Sequence, residues 1–334
     1  MIKQTILVMM TSDVKICNSV KDNLEFLNYK VVLVVNDDFK YKNFKDKLVN
    51  FYKKVFKNDK SFKRQLTRNY EENKNLIFLK QQKTIFDYTL VIRPDKFSLK
   101  VLEEAKTKSR KMVAYQWDGM SRFPEVIETV DFFDEFYVFD KNDIESNSKK
   151  LSYTTNFYFD CYNNLFKNEI KYDVYFIGSY DSRTQDLIRM CSELESMGLK
   201  INVLLATSPK KHLKKYKFIT YLKKSLTYYD NLEILSQSKI IIDLAHKDLH
   251  TGLSFRAFES LGYNKKMITT NKIIKSMDFY NPQNIFVYDD DRADLIEFVK
   301  SEYISIPETI KLKYSFSNWF NYMFKIEPFI NINN

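Results

Sequence analysis

The chain has 334 residues, enough for two ordinary domains, and its 44% hydrophobic and 29% charged content is that of a soluble globular protein. Its longest uncharged apolar runs, at 6–10, 31–35 and 240–242, are strand-length and far below the ~18 residues of a membrane span; no secretory signal pattern opens the sequence. Cys17, Cys161 and Cys191 form no CxxC pair and find no zinc spacing with the three histidines, so free thiols in a reducing cytosol are expected.

In chain order, residues 6–10 and 31–35 read as strands separated by a helical stretch over 14–27. Between Lys40 and Arg68 stand eleven lysines and arginines against Asp46 and Asp59, nearly the whole of the chain's net charge of +10. Phe44, Leu48, Phe51 and Val55 recur there at helical spacing, which predicts an amphipathic basic helix. Three readings fit it: a solvated lysine-rich face, a dock for an anionic membrane surface, or a nucleic-acid contact. Lysine dominates over arginine, which argues against forked recognition of bases or phosphates, so no nucleic-acid partner is expected.

Residues 88–92, 112–116 and part of 132–139 give further strands, with a helix near 99–106. Strands alternating with helices indicate parallel pairing through crossover connections. Residues 1–160 thus form one Rossmann-like unit, with a linker in the aperiodic stretch 151–172. Asp13 and Asp118 follow strand ends, where a site of such a sheet opens, and each is also a natural turn or N-cap residue.

A second unit spans 170–312. A strand at 173–177 leads into Gly178 and Arg183, and a helix closes at Gly198. Residues 202–206, 232–237, 267–270 and 285–288, and a helix from about 292, complete the unit around one central stretch, 239–261. That stretch begins with the apolar strand 240–244, continues through a polar loop with His246, Asp248, His250 and Thr251, and becomes a helix whose face carries Leu253, Phe255, Phe258 and Leu261. Gly262 is placed to end it. Asp243, at the strand end, is expected to bond loop N–H groups. A helix start offers free N–H groups and a positive dipole end to an anion, and Arg256 lies one turn in. Gly178 with Arg183 makes a second phosphate-facing loop. Residues 313–334 carry an aromatic amphipathic segment centred on Trp319 and Phe320.

The run Thr251-Gly252-Leu253-Ser254-Phe255-Arg256-x-Phe258-Glu259-x-Leu261-Gly262, followed by Lys266-Met267-Ile268-Thr269-Thr270-Asn271, resembles bacterial surface-polysaccharide glycosyltransferases of the GT-B fold. The resemblance implies two Rossmann-like domains facing a central cleft, with a C-terminal helix returning to the first. It implies a nucleotide-sugar donor held by the second domain, with Gly252, Ser254 and Arg256 near the diphosphate, Glu259 on the ribose, and Thr251 and Leu253 also in the donor-binding run. Gly178, Arg183 and Lys266 join this donor set as phosphate contacts. The segment Tyr115-Gln116-Trp117-Asp118-Gly119-Met120-Ser121-Arg122 resembles the family's acceptor-side loop. It implies Asp118 as general base, with Asp13 and Arg122 on the acceptor side. His250 stands where a glutamine is common and is a candidate contact to the sugar or a phosphate. Thr251 stands where many retaining relatives carry the first of two glutamates, so the stereochemistry of transfer stays open.

No Asp-x-Asp pair occupies a strand end; Asp289, Asp290 and Asp291 read as a solvated turn. Departure of the diphosphate without a metal and without a cofactor is therefore expected. The expected enzyme moves a sugar onto a glycan or lipid-linked glycan of lipopolysaccharide, O-antigen or capsule. It would work in the cytoplasm, with 40–68 facing the inner surface of the plasma membrane. Two rivals make different demands. A nucleotide-sugar epimerase of the same fold turns over donor alone, and a basic nucleic-acid-binding protein loses its ligand steeply with salt.

Overall fold

The computed structural model describes residues 3–36, 41, 44–57, 61–145, 150–167, 169–245, 252–288 and 292–333. The first sheet contains β1 (Thr5–Thr11), β2 (Lys30–Asn36), β3 (Phe86–Ile92), β4 (Ser109–Gln116), β5 (Glu135–Val138) and β6 (Ser152–Tyr153), in the order β2-β1-β3-β4-β5-β6. The second contains β7 (Tyr172–Ser179), β8 (Ile201–Ala206), β9 (Ile219–Tyr221), β10 (Ser238–Asp243), β11 (Lys266–Thr269) and β12 (Ile285–Val287), in the order β12-β11-β10-β7-β8-β9. Every pairing in both sheets is parallel.

The apolar runs explain the central strands. Ile6 to Met10 are fully buried, as strands covered by helices on both faces require. In the second sheet Ile240, Ile241 and Ile242 do the same. Its order reverses between β7 and β10, which leaves a crevice at their carboxyl ends.

The aromatic tail returns to the first domain. Helix Phe316–Phe324 buries Trp319 against Tyr115 (ring centroids 5.1 Å apart) and Phe324 against Tyr88 (5.2 Å). Lys111 donates from Nζ to the Phe324 carbonyl at 2.5 Å, holding the end of that helix to β4. Among the described residues no helix is long and apolar enough to cross a membrane.

Two local expectations differ from the structure, and a third, Gly262 at the end of its helix, holds for another reason. The basic segment forms two helices, Phe44–Phe56 and Ser61–Gln81, instead of one. Residues 232–236, expected among the strands of the second unit, lie in a helix, Tyr228–Ser236, which Gln237 caps and whose start is fixed by a reciprocal cap. The Thr227 hydroxyl accepts from the Asp230 amide at 3.1 Å, and Asp230 accepts from the Thr227 amide at 3.2 Å. Thr227→Ala is expected to cost about 1 kcal/mol, read as a lower urea midpoint with an unchanged slope. Gly262 is the last residue of helix Phe255–Gly262, and the left-handed turn that follows falls on Asn264 at φ 54°. The glycine is needed for space: a Cβ there would lie 2.2 Å from the Tyr158 ring.

Candidate functional site

The crevice between β7 and β10 opens into a pocket of about 420 Å3. Its floor comes from the second domain (Tyr175, Ile177, Gly178, Tyr228) and from the start of helix Phe255–Gly262. Trp117, Phe139 and Asn156 close it from the first-domain side. The two sides are joined directly. Asn156 accepts the Tyr115 hydroxyl at 2.7 Å and donates from Nδ2 to the Leu253 carbonyl at 2.9 Å, while Trp117 meets Phe255 edge-on at 5.9 Å.

Within this frame the helix spacing brings Arg256 and Glu259 to one wall, as residues three apart on a helix share a face. Arg256 is held from behind: Nη2 donates to the Ile177 carbonyl at 2.5 Å, and Nη1 lies 3.7 Å from Asp243. Its side chain stays 26% exposed, toward the pocket it lines. Ser254 is the N-cap residue of the helix, but its hydroxyl donates to Asp243 at 2.8 Å rather than capping. Asp243 also accepts the Thr269 hydroxyl at 2.9 Å; most of the loop whose N–H groups are expected to reach it, 246–251, lies outside the described residues.

Glu259 is 3% exposed, and Tyr228 donates its hydroxyl to one carboxylate oxygen. The other oxygen meets no donor among the described residues. Burial pushes the Glu259 carboxyl above its ordinary range, opposed by the Tyr228 hydrogen bond and the Arg256 guanidinium. Tyr228 was not singled out in the sequence; its place at the base of the helix after Thr227 gave no signal of this partner.

Several other residues fall elsewhere. His250 and Thr251 lie outside the described residues, as do His246 and the turn at 289–291. Gly178 and Leu253 line the pocket. Lys266 does not. It is the first residue of β11, at the end of the strand opposite the crevice, and its ammonium binds the carbonyls of Phe298 and Ser301 that close helix Arg292–Lys300. Burial brings its pKa down to about 8. The cation completes a helix end and is not a diphosphate contact. Arg183 is likewise turned inward: it grips Asp181 (2.6 Å) and the Leu244 carbonyl (2.6 Å), tying the turn after β7 to the end of β10.

Gly252 acts by absence of a side chain, but toward the protein. A Cβ there would stand 2.3 Å from the Phe139 ring and 3.1 Å from the Phe139 carbonyl, so only glycine lets the two domains approach at this point. Gly252→Val is expected to destabilise by about 1–3 kcal/mol in chemical unfolding, with part recovered in a Phe139→Ala background.

On the first-domain side, Asp118 is paired with Arg93 and, at 3.4 Å, with Arg122; Arg93 also holds Asp95 at 2.6 and 2.7 Å. Asp13 accepts the Thr11 hydroxyl at 2.6 Å. Neither Asp13 nor Asp118 lines the 420 Å3 pocket, although Trp117, the neighbour of Asp118, does. Arg122 lines a separate first-domain cleft of about 1050 Å3 with Thr11, Asn36 and the helix Ser61–Gln81. Among the described residues no group of three metal-ligating side chains comes together.

No protein-family model matches the chain, and no curated protein matches its sequence. Solved structures do match in shape. The N-terminal domain of Candida albicans trehalose-6-phosphate phosphatase aligns over 95% of this chain and 95% of its own, at 9% identity and a TM-score of 0.55. A UDP-N-acetylglucosamine 2-epimerase aligns over 99% and 100%, at 11% identity and a TM-score of 0.51. The catalytic domain of Starch Synthase IV from Arabidopsis thaliana, bound to ADP and acarbose, aligns over 92% and 97% at 8% identity and 0.49. At these identities the likeness is one of fold. The two parallel six-stranded sheets, the cleft between them and the returning C-terminal helix make this a protein of the GT-B fold.

Proposed function

We propose that the protein transfers a sugar from a nucleotide-sugar donor to a hydroxyl of a bacterial surface glycan, of lipopolysaccharide, O-antigen or capsule type. One observation carries the reading. A guanidinium and a buried carboxylate lie three residues apart on one helix and line the same pocket, at the crevice where the second sheet reverses its order. A nucleoside diphosphate presents matching groups: two anionic phosphates and a ribose diol. Arg256 and the free amides at the helix start suit the first, and the carboxylate of Glu259 suits the diol. Leu222, Leu226 and Leu235 add an apolar wall fitted to a base.

The leaving diphosphate gathers negative charge, and Arg256 with the helix dipole supplies the countercharge, which supports departure without a metal. Packing of Trp117 and Phe255 across the cleft sheds water beside the reacting sugar, so that hydrolysis does not compete. Asp118 with Arg122 stays the proposed acceptor side, and its approach to the donor requires the acceptor itself to bridge from the first-domain strand ends.

A thermal-shift panel of nucleoside diphosphates and their sugars tests the donor site, since a ligand of the native state alone raises its melting temperature. A panel with no shift at all removes the reading. The full-length likeness to the UDP-N-acetylglucosamine 2-epimerase favours a second reading, donor epimerisation at the same pocket. Proton NMR of donor and protein without acceptor separates the two, because only an epimerase changes the sugar under those conditions.

A further inference from the structure

The helix Phe44–Phe56 has no buried residue. Phe44 (69% exposed), Leu48 (52%), Phe51 (60%) and Val55 (56%) form a continuous apolar face in solvent, with Tyr52 beside it. Residues at these spacings share one side of a helix about 20 Å long. Lys47 and Lys54 border the face on one side and Lys45 on the other, and all three are exposed. The helix is tied to the rest of the domain through the next helix, where Lys53 sits over the Phe62 ring at 4.5 Å. A globular protein rarely leaves such a stripe to water without an occupant.

We infer that this helix lies in the surface of an anionic phospholipid bilayer, its aromatic and aliphatic face in the acyl boundary and its lysines on the headgroups. Two features select this occupant. The apolar face needs a hydrocarbon partner, which a nucleic acid backbone does not offer to Leu48 or Val55. The lysines on both borders, in a segment where eleven basic residues meet two acidic ones, need an anionic partner; a second copy of the same face brings like charge. Long lysine stems reach from the apolar boundary to the headgroups. The inference stands on the first domain alone and is independent of the chemistry at the donor pocket.

Vesicle sedimentation of the full chain decides it, with phosphatidylglycerol–phosphatidylcholine vesicles compared with phosphatidylcholine alone. Binding is expected to the anionic vesicles only. Phe51→Glu combined with Val55→Glu lowers the partition coefficient by at least about tenfold, and Lys47→Glu or Lys54→Glu by about fivefold or more each, in line with the contribution of a single surface lysine. Circular dichroism and the melting temperature of the unliganded variants show that they are folded, as substitutions on a face with no buried residue should leave them. Failure of the wild type to sediment with anionic vesicles overturns the inference. So does sedimentation that the folded variants share, a dimer in sedimentation velocity that Phe51→Glu dissociates, or capture by duplex DNA that outcompetes the vesicles.

Discussion

Arg256→Ala is expected to weaken nucleoside diphosphate binding by about a hundredfold, the range for losing hydrogen bonds to a charged group. The guanidinium is a planar fork with five N–H donors, and the protein engages only part of them. One nitrogen is committed to the Ile177 carbonyl at 2.5 Å, and another faces Asp243 at 3.7 Å. That anchoring fixes the plane so that the remaining donors meet a phosphate with little further loss of freedom. Lysine cannot reproduce this arrangement, because a single ammonium that reaches a phosphate abandons the carbonyl behind it. Arg256→Lys is therefore expected to resemble the alanine variant more than the wild type. Isothermal titration with the diphosphate that gives the largest thermal shift measures both. Alanine also strips a partner from the Ile177 carbonyl, at about 1 kcal/mol, which urea unfolding without ligand reports separately. Wild-type affinity in folded Arg256→Ala would show that the pocket is not the donor site.

Glu259→Gln is expected to move stability and affinity in opposite directions. Burial raises the Glu259 carboxyl above its ordinary range, so the folded state favours the protonated form more than the unfolded chain does. The stability this group contributes is fully present below the unfolded value and is lost as pH rises through the raised, folded one. Above the unfolded value the unliganded wild type is therefore less stable than it would be with a neutral side chain of the same shape at this position. Glutamine keeps an oxygen for the Tyr228 hydroxyl and removes the charge, so the unliganded variant should melt higher at pH 7, by about 1 kcal/mol of added stability. The difference should shrink as pH falls into the acid range, where both side chains are neutral. Binding responds in the other sense. A charged acceptor for the ribose diol is exchanged for a neutral one, and affinity should fall by about thirtyfold. A variant that melts lower than the wild type and binds unchanged would assign Glu259 to packing alone.

The two lysines of the donor-like segment show why composition and spacing do not suffice to assign a cation. In the sequence, Lys265 and Lys266 continue the run that begins at Thr251. In the fold, both ammoniums are spent on backbone carbonyls: Lys265 on those of Ser236 and Ser238, Lys266 on Phe298 and Ser301. Their position is at the amino end of β11, whereas the pocket lies at the carboxyl ends of the strands. A strand of four residues is enough to separate the two ends, and which end a residue occupies follows from strand register. Arg183 gives the same lesson on a loop, where Asp181 lies two residues away and captures the guanidinium before any ligand does.

By itself, the sequence determined the alternation of strands and helices, the buried runs of β1 and β10, and the placing of Arg256 and Glu259 on one helical wall. Each of these depends on local periodicity or on apolar run length, which the chain carries in its own order of residues. Only the tertiary structure decided that Gly252 yields space to Phe139, that Tyr228 supports Glu259, that Trp117 and Asn156 close the pocket, and that the face of Phe44–Phe56 is left uncovered. Those outcomes depend on which distant surfaces meet, and contacts such as Tyr228 to Glu259, 31 positions apart, and Asn156 to Leu253, 97 apart, leave no period in the sequence to read.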